Sequence, residues 1–225
     1  MDSRRLGVIV FVGGLCVCLA ATQGAFSETN ADKTTSQPIP DTIWQKMQGK
    51  SWHADLPCPA RTDLLLLTVP YTGFDGQKKT GHLIVAKAHA ANIAAAMDRI
   101  FASGTFRIER MELVDKYGGD DDASMADNNT SAFNCRFVGG TNTLSAHALG
   151  IAIDINPVQN PFVTKSNTYP PAGKAFDEAH ERISSVTGII LPGGEVTTSF
   201  GDVGWTWGGT WDSKKDYQHF SQSGK

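Results

Sequence analysis

The chain is expected to be an α+β domain, with a small, mainly antiparallel sheet and helices packed on one side. Three observations lead there. Two strand-like apolar runs, 64–69 and 81–86, flank the turn sequence Gly73-Phe74-Asp75-Gly76 and read as a hairpin. Residues 88–102 carry a strong helical period. Strand and helix signals do not alternate regularly, which argues for an α+β fold.

The N-terminus is read apart from the fold. Arg4 and Arg5 precede an apolar run over 6–21, and small residues follow to Ala25. That is the order of a secretory signal peptide, so 1–25 is assigned as one. The run is short and glycine-interrupted for a membrane span; a retained anchor is the alternative. Leu15-Cys16-Val17-Cys18 is a poor lipoprotein site, because bulky residues precede both cysteines. Residues 26–40 are polar and end in Pro-Ile-Pro, which reads as a linker. The domain itself is placed at 41–225.

Within it, 41–49 is expected to form a short helix, and the hairpin follows. In the helix over 88–102, Ile93, Ala96, Met97, Ile100 and Phe101 share a face, and Ser103-Gly104 ends it. Residues 106–114 alternate in part and read as a strand. Asp120-Asp121-Asp122 reads as a solvated acidic loop, since it lacks EF-hand spacing. Asn128-Asn129-Thr130 reads as a turn whose side chains bond the local backbone. Residues 174–187 are expected to be a second helix, with Phe176, Ala179, Ile183 and Val186 on one face.

Composition limits the function. The formal net charge is −3 and no basic block appears, so nucleic acid is not expected as a partner. Without its signal the chain is expected to be an exported monomer with no stable membrane insertion, located in a periplasm, cell wall or extracellular space. Cys58 and Cys135 then remain. An exported chain with two cysteines often pairs them, and such a bridge typically contributes roughly 2–4 kcal/mol. The alternative is two buried thiols. Neither has zinc-finger spacing.

The chemistry concentrates in Ser145-Ala146-His147-Ala148-Leu149-Gly150-Ile151-Ala152-Ile153-Asp154-Ile155-Asn156-Pro157 and in Asp216-Tyr217-Gln218-His219. As a strand, 151–155 sends its isoleucines to one face and Ala152, Asp154 and Asn156 to the other. Asp154 is then either a solvated aspartate on a surface strand or an ion ligand. Gly150 permits a turn that would bring His147 to the same ion. Asp216 and His219, three apart, act together only across a turn or bend. Two histidines and one carboxylate make a three-ligand zinc site with an open fourth position, and the other carboxylate is left as a base. Such a site lowers the pKa of its water to about 7. Trp205, Trp207 and Trp211 close a small core, wall a cleft, or divide between the two.

These motifs resemble the zinc D-alanyl-D-alanine carboxypeptidases and dipeptidases, to which phage L-alanyl-D-glutamate endolysins and the hedgehog signalling domain are structurally related. The resemblance covers roughly residues 60–221. It also rests on Tyr71-Thr72-Gly73-Phe74-Asp75-Gly76, Asn128 to Arg136, Asp154-Ile155-Asn156-Pro157 and Trp205-Thr206-Trp207-Gly208-Gly209. Many members carry glutamate where this chain has Asp216; the endolysin-like branch accepts aspartate. The resemblance implies a hedgehog/DD-peptidase-like fold, Zn2+ bound by His147, Asp154 and His219, and Asp216 as general base. It makes Arg136 the cation on a substrate oxygen, and Ser145 a further substrate contact. It implies a peptidoglycan peptide as substrate, cut either at a terminal D-alanine or at an internal L-Ala–D-Glu bond. A non-catalytic wall-binding module is the rival class. The presence of Asp216 argues for catalysis.

Overall fold

The computed structural model describes Met1 and residues 32–224; the signal-peptide reading falls outside these. The elements are β1 (Thr35–Pro38), α1 (Asp41–Met47), β2 (Leu64–Thr72), β3 (Lys78–Ala86), α2 (Ala90–Ser103), β4 (Arg110–Met111), α3 (Asp121–Ala126), β5 (Asn129–Thr130), β6 (Ala152–Asp154), β7 (Phe162–Val163), β8 (Thr168–Tyr169), α4 (Glu195–Gly201), β9 (Thr206–Trp207), β10 (Lys215–Asp216) and β11 (His219–Ser221). The fold is α+β as expected. In place of one small sheet, the described residues form three antiparallel three-stranded sheets, β1-β2-β3, β10-β7-β8 and β6-β11-β9, and the parallel pair β4-β5.

The β2–β3 hairpin is longer than the apolar runs suggest, pairing Leu64 with Ala86 through to Thr72 with Lys78. Alternation sorts its side chains onto two faces. Leu67, Val69, Leu83 and Val85 join the main core with α2. Leu64, Leu66 and Ile84 join a second cluster with Met47, Ile43 and Trp44 from α1. Helices therefore cover both faces of this sheet, because its strands carry apolar residues at both parities. Its outer edge is β1, antiparallel to β2, with Ile39 buried just beyond. The last part of the stretch read as linker is thus a strand of the fold.

Helix α2 matches its reading, burying Ile93, Ala96, Met97 and Ile100. It ends at Gly104, whose φ of 65° is the left-handed cap that glycine takes without a Cβ clash. Three other segments depart from expectation. Residues 174–187 hold only short 3-10 turns, Pro171–Phe176 and Ala179–Glu181. The supposed apolar face is not buried, Ile183 being 52 % exposed. What is buried is Arg182, which donates to the carbonyls of Gln159, Phe176 and Ile190 and to Asn160 Oδ1. Those tertiary bonds set the backbone in place of helical spacing. In 106–114 only Arg110–Met111 is strand. The acidic run caps and opens α3, Asp120 Oδ1 accepting from the Ala123 N–H.

The Asn128–Thr130 stretch is not a surface turn. Asn129 is fully buried; its side chain accepts from the Glu112 N–H and donates to the Glu112 carbonyl and Ser124 Oγ. Its bonds go to the neighbouring chain segment and not to its own turn. The disulfide Cys58–Cys135 is present and ties the segment before β2 to the second core cluster.

Candidate metal centre and cleft

The site is built on the β6–β11 pair. Asp154 stands directly opposite His219. Backbone bonds join Ile155 to Gln218 and Gln222 to Ile151. Asp154 and His219 therefore occupy a non-hydrogen-bonded position, where facing side chains come closest. The outward edge of Asp154 bonds Ser131 in both directions. Ile153 and Phe220, one residue along, turn into the core beside Trp207. Both faces of β6 are buried, so the solvated-aspartate alternative falls.

His147 arrives on a short 3-10 turn, His147–Leu149, closed by Gly150 at φ 69°. A side chain at 150 would meet the backbone nitrogen of Ala86 at 2.5 Å, so glycine is required there. The extended segment 131–136 braces this turn. Asn134 N–H donates to the His147 carbonyl, and Ser145 N–H donates to the Arg136 carbonyl. His147 Nδ1 lies 2.6 Å from the Ala132 carbonyl oxygen. A carbonyl only accepts, so Nδ1 carries the hydrogen and Nε2 is left as the ligand atom.

Three donors meet as a result. His147 Nε2 is 3.2 Å from His219 Nδ1 and 3.2 Å from Asp154 Oδ2, and His219 Nδ1 is 3.0 Å from Asp154 Oδ1. All three residues are buried, and their ligand atoms lie within 4.8 Å of one another. A tetrahedral ion with bonds of about 2.0–2.1 Å needs donors about 3.3 Å apart. The buried His-Asp-His group fits a metal ion. Burial opposes ionisation of Asp154, but His147 and then His219 outweigh it and hold its carboxyl well below the usual range.

Asp216 faces the same space from β10, which pairs with β7. The turn between β10 and β11 supplies the bend that Asp216 and His219 require. Asp216 Oδ1 is buried with no hydrogen-bond partner among the described residues. Burial pushes its carboxyl up to about 6; His219 pulls it down and Asp154 pushes it up. Gly208 makes room for both side chains. A Cβ there would lie 2.7 Å from the Asp216 carbonyl oxygen, 2.9 Å from its Cβ and 3.3 Å from the His219 Cβ.

These groups line a cleft of about 560 Å³. The tryptophans divide between the two readings. Trp205 and Trp207 are core, Trp207 donating to the Tyr217 carbonyl, while Trp211 walls the cleft with its ring 5.5 Å from that of His219. Arg136 and Ser145 also border it. Ser145 Oγ accepts the His147 N–H, so it fixes the ligand turn. Arg136 donates through Nη2 to Asp121 Oδ2, and its Nε is buried without a partner among the described residues. Asp121 was read as solvated loop; it is a cleft residue and the partner of the arginine. Sequence reasoning also missed Ala132, whose contribution is a carbonyl that no side chain announces, and Gly208, present in a quoted motif but without an assigned job.

Neither a curated protein nor a solved structure matches the chain. Residues 139–222 match the family model described as D-alanyl-D-alanine carboxypeptidase. That stretch, 84 of the 225 residues, holds His147, Asp154, Asp216 and His219.

Proposed function

We propose that the protein is an exported zinc peptidase of bacterial cell-wall peptides, acting as a D-alanyl-D-alanine carboxypeptidase. His147, Asp154 and His219 hold the metal, Asp216 is the general base, and Arg136 binds a substrate oxygen. The observation that carries this reading is the convergence of three buried donors beside a carboxylate oxygen with no partner among the described residues. A carboxyl with one buried, unbonded oxygen, pushed by burial up to about 6, is poised to exchange protons near neutral pH.

Zinc, when bound, supplies Lewis-acid polarisation of the scissile carbonyl and acidifies water. Asp216 takes the proton of the attacking water and returns it to the leaving amine. Ala132 and Ser145 keep His147 oriented through its Nδ1 and its backbone. Arg136 reaches a substrate oxygen with the donors that Asp121 leaves, Asp121 holding its Nη2. Trp211 packs its ring against one side of His219. Export is supported by the signal-like N-terminus and by the disulfide, which belongs to an oxidising compartment.

A second reading, endopeptidase action at L-Ala–D-Glu, is favoured by the Asp121–Arg136 pair. A guanidinium already matched by a carboxylate is a weaker receptor for a terminal carboxylate. The test is mass analysis of digested wall peptides with and without chelator. Loss of one terminal alanine, abolished by chelator and restored by zinc, supports the carboxypeptidase. Internal cleavage supports the endopeptidase, and peptides unchanged by the zinc-loaded protein overturn both.

A further inference from the structure

Two cations border the cleft, Arg136 and Lys214. Arg136 is occupied by Asp121. Lys214 has no ion pair among the described residues. Its ammonium sits 5.3 Å from the ring centroid of Phe162 and 5.1 Å from that of Trp211. Two aromatic faces hold a cation in place without neutralising it. Phe162 stacks in turn on Tyr169, so the ammonium rests on a supported wall.

Lys214 directly precedes β10, two residues before Asp216. Positions two apart along a chain are separated by at most about 7 Å. Both side chains line the same cleft, so a substrate residue held with its amine at Asp216 can turn its carboxylate, bonded to the same Cα, toward Lys214. Asp216 delivers its proton to the leaving amine in the reading above, on which this inference rests. The residue that departs therefore places its far end toward Lys214.

We propose that Lys214 is the receptor for a free α-carboxylate on the leaving residue, and so a specificity-determining residue of the cleft. The same chemistry has two sources: the C-terminal carboxylate of a terminal D-alanine, or the α-carboxylate left free on a glutamate linked through its side chain. An unpaired cation at this position favours either over a neutral residue.

The experiment compares wild type, Lys214→Gln, Lys214→Arg and the neighbouring control Lys215→Gln, all loaded with zinc. Each is assayed on four synthetic peptides. One pair ends in D-Ala-D-Ala as free acid or as amide; the other contains L-Ala–γ-D-Glu with its α-carboxylate free or amidated. Whichever acid the wild type cuts identifies the source. On that acid Lys214→Gln should raise KM about tenfold, the scale of one charge-assisted hydrogen bond, with zinc content unchanged. Lys214→Arg should recover most of the loss, and Lys215→Gln should match wild type. The wild-type preference for acid over amide should shrink by the same factor in Lys214→Gln. An equal fall on acid and amide would overturn the proposal, since it would show an effect through Asp216 alone. So would an unchanged preference. Wild type inactive on all four peptides would overturn the peptidase reading itself, a separate outcome.

Discussion

The two walls of the cleft treat their carboxylates in opposite ways. On the β6–β11 side, Asp154 is enclosed by two histidines and held ionised. On the β10 side, Asp216 feels the same charges but has a buried oxygen with no hydrogen-bond partner among the described residues, and is pushed toward its neutral form. The two residues are chemically identical. The difference lies in backbone register, which places Asp154 opposite His219 and leaves Asp216 across a turn from it. In the proposed reading, a ligand and a base are thus distinguished by position alone.

The most damaging way to break this contrast is to remove a ligand. His147→Ala is expected to lose bound zinc and peptidase activity together, measured by elemental analysis and peptide turnover. Full zinc occupancy in that variant would show that the ligand set is wrong.

A gentler change separates the two walls. Asp216→Asn keeps shape and should keep zinc, while turnover falls by about 10²–10⁴. Near-normal turnover with metal bound would transfer the proton work to another group.

The smallest effect is in the metal-free protein. Asp154 has a depressed folded pKa, so its stabilisation is present above about pH 4 and is lost as pH falls below that. Asp216 has a raised one, about 6 against 3.8, so its folded state holds the extra proton. Its contribution is complete below about pH 4 and is lost as pH rises through 6, at most about 3 kcal/mol. His219, Asp154, His147 and Lys214 all act on that carboxyl. Chelated protein should therefore lose thermal stability between pH 4 and 6, and Asp216→Asn should flatten that slope. A slope that survives the substitution would assign it to another group.

How far the sequence reveals the molecule follows the same division between local and distant causes. Helix α2 and the β2–β3 hairpin were legible because their periods and turn residues are local. The ligand candidates were legible as motifs, His147 and Asp154 on either side of Gly150. Their meeting with His219 depends on a strand pairing across 65 residues, which no local pattern encodes. The missed features are all tertiary. Arg182 bonds distant carbonyls and keeps 174–187 from forming the helix its spacing suggests. Asn156 stands at φ 47°, and its side chain bonds Glu109, Arg107 and Gly188. Asp121 is tied to the cleft through Arg136, 15 residues away.

The cross-strand placement of Asp154 and His219 makes metal occupancy a thermodynamic reporter on the whole fold. An unpaired β11 offers no chelate, so an ion that binds only the paired state stabilises it by RT ln(1 + [ion]/Kd). Melting temperature should then depend on free zinc concentration. By the same linkage, loosening the core behind the strands, at Phe220 or Trp207, registers as weaker metal affinity although neither side chain touches the ion.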